Sequence, residues 1–245
     1  MDTNSNGYTF LFATIMVVVV GVLLAFLATS LKPLQDANVA MEKKQDILST
    51  VGYPKAETSR EEADELFGQV ITEQLVLNSK GEPVEGIEAF NVDMATQLKL
   101  APEEKTYPLY ISEKDGKKFY IVPLRGKGLW GPIWGYVSLE EDLNTVYGAS
   151  FDHKSETPGL GADINKPFFQ DQFAGKQIMK DGEFKSIEVV KGASQGDYQV
   201  DGISGGTITS VGVQAMLKDC ISFYLPYFNK VKSNSGQMTM NAAAE

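Results

Sequence analysis

The longest apolar run in the sequence lies close to its start. It extends from Tyr8 to Leu31 and contains no charged residue. At about 1.5 Å per residue, a helix of this length reaches about 36 Å, more than the roughly 30 Å of a bilayer hydrocarbon core. No Lys or Arg precedes the run, and it is longer than the apolar part of a signal peptide, so a retained anchor is favoured over a cleaved signal. We therefore expect a short tail at 1–7 and a transmembrane helix at 8–31.

Helical spacing of apolar residues continues beyond Pro33 and predicts a stalk helix that ends near Gly52. A second helix is predicted to begin at Ser59, because Ser59 and Glu62 have the spacing of a capping box. The apolar face of that helix consists of Ala63, Leu66, Phe67, Val70 and Ile71. We assign residues 32–106 to the stalk and the first part of a soluble domain.

Strand patterns dominate the next part of the chain. Two alternating segments, 107–112 and 118–122, flank Asp115-Gly116 and predict a hairpin. Further elements are predicted as strands at 134–139, 145–152 and 187–190, a short helix at 168–173 and a helix at 211–224. Hairpins and separate helices indicate an α+β class rather than alternating βαβ units. We expect this domain to cover 107–230 and a disordered tail to cover 231–245.

The charge balance and the Cys and His content exclude several classes of function. There are 22 Lys and Arg against 32 Asp and Glu, a net charge of −10, which opposes binding to nucleic acid. One Cys and one His exclude an internal disulfide, a four-cysteine cluster and any site with two His ligands. We predict no metal site, so the chemistry must come from elsewhere.

A glycine-rich segment with four hydroxyl side chains, residues 201–210, precedes the helix predicted at 211–224. Such a turn can present backbone N–H groups and the positive end of a helix dipole to a phosphate. A simple Ser or Thr N-cap would also explain one of these hydroxyls. The segment is therefore a candidate anion site, with helix capping as the alternative.

Two other segments are unusual in composition. Residues 153–161 combine Pro158 with Gly159 and Gly161, which allows the chain to lie flat against a ligand or to form an ordinary loop. Residues 126–135 place two Trp among four Gly, as core anchors or as a face for a planar ring. His153 is expected to be a solvated side chain.

In order and content, these segments resemble the FMN-binding domain family and, within it, the C subunits of sodium-translocating NADH:quinone oxidoreductases. The resemblance covers the N-terminal anchor, Gly-Leu-Trp-Gly at 128–131, Glu-Thr-Pro-Gly-Leu-Gly at 156–161 and Asp-x-x-Ser-Gly-x-Thr at 201–207. It implies that Thr207 carries FMN through a phosphoester bond. Gly206 stands where the family usually has Ala.

The resemblance also implies roles for the residues around Thr207. Asp201 would serve recognition by a flavin transferase that takes the FMN moiety from FAD. The phosphate would lie among Ser204, Gly205, Gly206, Thr209 and Ser210. The isoalloxazine ring would be bordered by Trp130, Glu156, Thr157, Gly159 and Leu160, with Lys191 as a further contact.

The implied function is that of an electron-carrying subunit in a membrane complex that couples NADH:quinone oxidoreduction to sodium export. The sequence has no dinucleotide fingerprint that follows a strand and opens a helix, because Gly-x-Gly-x-x-Gly at 126–131 lies between two predicted strands. NADH oxidation is therefore assigned to a partner subunit, and no quinone site is proposed in this chain. The alternatives are the G subunit of the related Rnf ferredoxin:NAD oxidoreductase complex and a non-redox anchored ligand-binding module.

Two arguments conflict over the orientation in the bacterial inner membrane. Lys32, Lys43 and Lys44 follow the span and no basic residue precedes it, which places the soluble domain in the cytoplasm by the positive-inside rule. The family resemblance places it on the periplasmic side. We follow the resemblance, because neighbouring spans in a complex can impose a topology.

Overall fold

The computed structural model describes residue 3 and residues 5–242, the last eight of these by their backbone only. The chain divides after Lys43 into two units. Its α-helices are α1 Asn6–Ser49, α2 Arg60–Val70, α3 Met94–Gln97, α4 Pro167–Gln170, α5 Thr207–Ser222 and α6 Leu225–Ala242. Its strands are β1 Ile71–Asn78, β2 Thr106–Lys114, β3 Lys117–Lys127, β4 Pro132–Leu139, β5 Val146–His153, β6 Met179–Lys180, β7 Glu183–Phe184, β8 Glu188–Val190 and β9 Gln199–Asp201.

The first unit is formed by most of α1. This helix contains the whole predicted membrane segment and is long and apolar enough to cross a bilayer. Within this segment the hydroxyls of Thr14 and Thr29 each donate to the carbonyl four residues earlier at 2.8 Å, so these two polar side chains are satisfied within the helix. Pro33 lies inside the helix, so the predicted stalk and the predicted span are one continuous element.

The predicted start of α2 is confirmed. The Glu62 N–H donates to the Ser59 hydroxyl at 3.2 Å, and the Ser59 N–H donates to the Glu62 carboxylate at 2.8 Å. The helix ends earlier than predicted, because Ile71 already belongs to β1. The sequence prediction missed β1, since its first residue continues the apolar face of α2.

The second unit is built on a five-stranded antiparallel sheet in which β1 to β5 pair in chain order. The predicted hairpin is β2–β3, and Asp115 and Gly116 both have positive φ angles, 53° and 75°. Such angles suit the tight turns whose twist matches that of the flanking strands. The α+β class predicted from the sequence is confirmed.

Side chains alternate between two apolar layers on either side of this sheet. On β2, Leu109 and Ile111 belong to the layer that includes α5, whereas Tyr110 belongs to the other layer. That second layer contains the apolar face of α2 and the buried Ile47 and Leu48 of α1. Both faces of the sheet are thus covered.

Helix α5 lies against β3, where the backbones approach closely. A side chain at Gly212 would place its Cβ 2.4 Å from the Lys127 carbonyl oxygen, and one at Gly126 would place it 2.7 Å from Met216. The Cys220 thiol contacts the Arg125 backbone N–H at 3.3 Å. These contacts fix the N-terminus of α5 beside the end of β3.

Two boundaries differ from the sequence prediction at this end of the chain. Helix α5 begins at Thr207 instead of 211, so Thr209 and Ser210 lie in its first turn. Helix α6 continues to Ala242, although the predicted tail from 231 was expected to be disordered; residues 243–245 lie outside the described residues. The polar composition of this tail had concealed the helix.

Candidate functional site

The three unusual segments of the sequence meet at the N-terminus of α5, where two neighbouring open cavities share Gly205 and Thr207. The larger, about 400 Å³, is lined by Leu129, Trp130, Glu156, Thr157, Leu160, Gly161, Gly205, Gly206, Thr207, Ile208 and Thr209. The smaller, about 230 Å³, is lined by Val189, Val190, Lys191, Gly192, Gly202, Ile203, Ser204, Gly205, Thr207, Ser210 and Val211.

Thr207 is the first residue of α5, and its side chain is exposed between the two cavities. The preceding Gly206 offers no side chain to cap the helix. Backbone N–H groups of a first helical turn lack intrahelical partners and attract anions. The position therefore suits a phosphate attached to, or lying beside, the Thr207 hydroxyl.

The other three hydroxyls of this segment differ in accessibility. Thr209 is buried and donates its hydroxyl proton to the Glu156 carboxylate at 2.6 Å. Ser210 is also buried, and its hydroxyl accepts the Ile203 N–H at 3.0 Å, which leaves its own proton available. Ser204 is exposed and lines the smaller cavity only. Thr207 alone among the four combines exposure with contact to both cavities.

Glu156 connects the segments that surround the larger cavity. Its side chain is buried, and its carboxylate accepts the Trp130 N–H at 2.8 Å in addition to the Thr209 hydroxyl. Burial raises the pKa of this carboxyl, but hydrogen bonds from Thr209 and from the backbone of residues 129–131 outweigh that effect, so the pKa is lowered. Glu156 is therefore ionised at neutral pH.

Two glycines make room for this carboxylate. A Cβ at Gly128 would lie 2.6 Å from Oε1 of Glu156, and a Cβ at Gly161 would lie 2.6 Å from Oε2. Neither position can carry a larger side chain without moving the carboxylate. Gly161 was not among the predicted site residues. Its place as the last residue of the 156–161 motif could have indicated that it belongs to the site.

Most of the exposed side chains around the larger cavity are apolar. Trp130 and Leu160 are 67% and 41% exposed, and Leu129 and Ile208 are exposed beside them. The sequence prediction missed Leu129 and Ile208, which adjoin Trp130 and Thr207 in the chain. Exposed apolar side chains around a cavity suit a planar aromatic ligand.

Thr157 and Gly159 belong to the turn that brings Leu160 to this cavity. The Thr157 carbonyl accepts N–H groups from Leu160 and Ala162, both at 3.1 Å. Gly159 has a φ of 74°, and its N–H donates to Asp163 at 3.1 Å. Thr157 lines the larger cavity, whereas Gly159 shapes the turn without lining it.

Of the remaining residues singled out in the sequence, Lys191 lines a cavity, whereas Asp201 and His153 do not. Lys191 is exposed and lines the smaller cavity. Asp201 lines neither cavity; its carboxylate accepts the Ser194 N–H at 2.7 Å. His153, expected to be solvated, is half-buried, and its Nδ1 accepts the Glu156 N–H at 3.2 Å. It supports the Glu156 loop.

The site fits FMN in shape and chemistry. The larger cavity offers volume and apolar side chains to a ring system, while the uncapped start of α5 offers backbone donors to a phosphate. A model of the FMN-binding domain family matches residues 128–222, which include the segments 153–161 and 201–210 and residues 128–135 of the third segment.

Comparison with curated proteins gives relatives over nearly the whole chain. The C subunit of the Na(+)-translocating NADH-quinone reductase of Neisseria meningitidis serogroup A is 30% identical over 96% of this chain and 98% of its own length. The corresponding C subunit of Vibrio alginolyticus is 33% identical over 80% of this chain and 82% of its own length.

Among solved structures, C subunits of the same reductase are similar to this chain. The crystal structure of the C subunit of the Na(+)-translocating NADH-quinone reductase from Parabacteroides distasonis is similar with a TM-score of 0.74 and 44% identity, covering 81% of this chain and 96% of that one. The crystal structure of Shewanella oneidensis NqrC is similar with a TM-score of 0.66 and 27% identity, covering 79% of this chain and 98% of that one.

Proposed function

Because the chain belongs to the family of C subunits of Na(+)-translocating NADH-quinone reductases, we propose that it carries FMN covalently on Thr207 and relays electrons within such a complex. The FMN-binding domain and the single apolar N-terminal helix agree with a membrane-bound flavoprotein subunit. The electrons come from NADH and pass to a quinone through other subunits, and the complex as a whole exports sodium.

The observation that carries this proposal is the position of Thr207. Its hydroxyl is exposed at the uncapped start of α5 and borders both cavities, while Thr209 and Ser210 are buried. A phosphoester at Thr207 places anionic oxygens beside free backbone N–H groups and the positive end of the helix dipole. Gly205 and Gly206 let the backbone approach the phosphate.

Attachment requires a partner enzyme. A flavin transferase supplies FAD; the Thr207 oxygen forms a bond to the phosphorus of the FMN half, AMP leaves, and the hydroxyl proton passes to solvent. Asp201 lines neither cavity and its carboxylate accepts the Ser194 N–H, so its proposed role is recognition by this transferase. When bound, FMN supplies the redox chemistry.

The surrounding side chains position the cofactor. Trp130, Leu160 and Thr157 border the ring in the larger cavity, with Gly159 shaping the turn that presents them. Ser204, Ser210 and Lys191 face the smaller cavity on the phosphate side. Lys191 is exposed, so its attraction to the phosphate is screened by salt.

Intact-mass measurement tests the attachment residue. Produced in cells that also contain a flavin transferase, the parent chain is expected to carry the added mass of one FMN phosphoryl group, and Thr207→Ala is expected to lack it while remaining folded. Ser79→Ala is the control, because it removes an exposed hydroxyl that lines neither cavity and should keep the flavin. Flavin mass retained in Thr207→Ala would contradict the proposal, and a parent without flavin mass would indicate a non-redox binding module.

We also propose that the soluble domain lies on the periplasmic side of the inner membrane, where the exported transferase reaches Thr207. A reporter cysteine at exposed Ser79 tests this. In intact cells with a permeabilised outer membrane, Ser79→Cys should be labelled by a membrane-impermeant thiol reagent. The parent is the control, because burial shields Cys220 and raises the pKa of its thiol to about 11. Labelling only after lysis would assign the domain to the cytoplasm.

A further inference from the structure

The walls of the two cavities carry opposite charges. Among the described residues that line the larger cavity, Glu156 is the only one that ionises, whereas Lys191 is the only one in the smaller cavity. Lys191 is exposed and screened by solvent, but Glu156 is only 5% exposed. A buried charge acts on its neighbours with much less screening.

Among the residues that the structure describes, Glu156 also has no cationic partner. No Lys, Arg or His nitrogen forms an ion pair with its carboxylate in the part of the chain that the structure describes. Its partners are neutral donors, the Trp130 N–H and the Thr209 hydroxyl. Such donors keep the carboxyl ionised but, being neutral, do not cancel its negative charge as a cation would.

We propose that Glu156 holds a fixed negative charge in the wall of the FMN cavity and thereby lowers the reduction potential of the cofactor. This inference rests on the proposed function and adds a role for one residue of that site. Uptake of two electrons and one proton from a chemical reductant adds one negative charge to the ring. The charge on Glu156 raises the free energy of that product relative to the oxidised ring, so the midpoint potential falls.

The substitution Glu156→Gln separates charge from shape. Its amide oxygen can still accept the Trp130 N–H, and its amide nitrogen can donate to the Thr209 oxygen after that hydroxyl rotates. The tie between residues 129–131 and α5 is retained without the charge. The midpoint potential is therefore expected to rise.

The substitution Thr209→Val changes the same site in the opposite electrostatic sense. It removes the hydroxyl that donates to Oε2 and keeps the carboxylate, whose negative charge is then less compensated. The midpoint potential is expected to fall. Glu113→Gln is the matched charge control, because Glu113 is exposed next to the β2–β3 turn, lies opposite Lys118 in the strand register and lines neither cavity.

The experiment is a spectroscopic redox titration of the full chain in detergent, with flavin content verified by intact mass. The proposal requires a positive shift in Glu156→Gln, a negative shift in Thr209→Val and none in Glu113→Gln. Shifts of equal sign in the first two variants would overturn it, because both would then reflect a loosened cavity. So would an unchanged potential in a flavin-loaded Glu156→Gln chain.

The inference can still be tested if one variant fails to fold. If Glu156→Gln does not accumulate, Thr209→Val decides alone, and a potential equal to or above that of the parent overturns the inference. A parent chain without FMN would instead overturn the proposed function, and with it the cofactor that Glu156 is inferred to tune. The two failures are therefore distinguishable.

Discussion

Single glycines determine how closely the segments of the site approach one another. A Cβ at Gly161 would lie 2.3 Å from the Thr209 hydroxyl oxygen, whereas a Cβ at Gly206 would meet Ile203 at 3.0 Å and the Gly161 nitrogen at 3.1 Å. The first approach is impossible without displacement, and the second needs a shift of a few tenths of an ångström. An Ala at position 206, which the family resemblance makes the usual residue there, is thus accommodated more easily than an Ala at position 161.

This difference predicts an order of stabilities. Gly161→Ala should lower the free energy of unfolding by about 1–3 kcal/mol, as overpacking does, and Gly206→Ala should lower it less. Gly68→Ala is the control of opposite sign, because Gly68 is exposed in α2 with open space around its Cα, and Ala is favoured in helices by about 1 kcal/mol. Denaturant titration of the three variants measures the order, and a Gly161→Ala chain as stable as the parent would contradict it.

Glu156 also predicts an acid sensitivity. Its pKa is lowered in the folded chain, so its contribution to stability is fully present above the usual value near 4.5 and is lost as the pH falls through the folded pKa. The stability difference between the parent and Glu156→Gln should therefore shrink from pH 7 towards pH 3. Equilibrium unfolding at several pH values checks this. A stability difference that stays constant with pH would show that the pKa of Glu156 is the same in the folded and unfolded chains.

Among the elements, α2 begins with contacts that are local in sequence. Ser59→Ala removes the hydroxyl that accepts the Glu62 N–H and should lower the free energy of unfolding by about 1 kcal/mol. Ser59→Asp keeps an acceptor at the cap and should retain most of the stability. Thermal unfolding compares the two, and equal losses would show that the cap hydrogen bond contributes little.

The elements show which features the sequence could predict. The cap of α2 and the β2–β3 turn depend on residues within four positions of each other, so their patterns are visible in the chain. The start of α5 was placed four residues late, because Gly206 supplies no side-chain cap and the helix is held there by packing on β3. The sequence likewise could not reveal that the carboxylate of Glu156 binds Thr209, which lies 53 residues away.

For the whole molecule, the last turn of α1 and the two residues after it belong to the core of the second unit. Ile47, Leu48 and Val51 are fully buried there, and the Ser138 hydroxyl donates to the Thr50 carbonyl at 2.6 Å. At about 1.5–3 kcal/mol each, burying the three apolar side chains contributes about 5–9 kcal/mol. That is comparable with the total stability of a domain, about 5–15 kcal/mol.

A chain that begins at Lys44 should therefore fold as a soluble protein, whereas one that begins at Tyr53 should be largely unfolded or aggregated. Circular dichroism and size-exclusion chromatography distinguish the two outcomes. A chain that begins at Tyr53 and unfolds as cooperatively as the longer one would show that the end of α1 is dispensable to the core.

The chain-order pairing of β1 to β5 has a consequence for the sequence of events during folding. The pairs from β2 to β5 close between chain neighbours across short connections, so this part of the sheet depends on contacts at short separation and can form early, whereas β1 pairs with β2 across residues 79–105. The cavities need α5, and Tyr224, the second residue after that helix, donates its hydroxyl to the Pro108 carbonyl across 116 positions of the chain. A nascent polypeptide can complete its sheet before it has any place for a cofactor, and flavin bound in the larger cavity would then report that the last long-range contacts have formed.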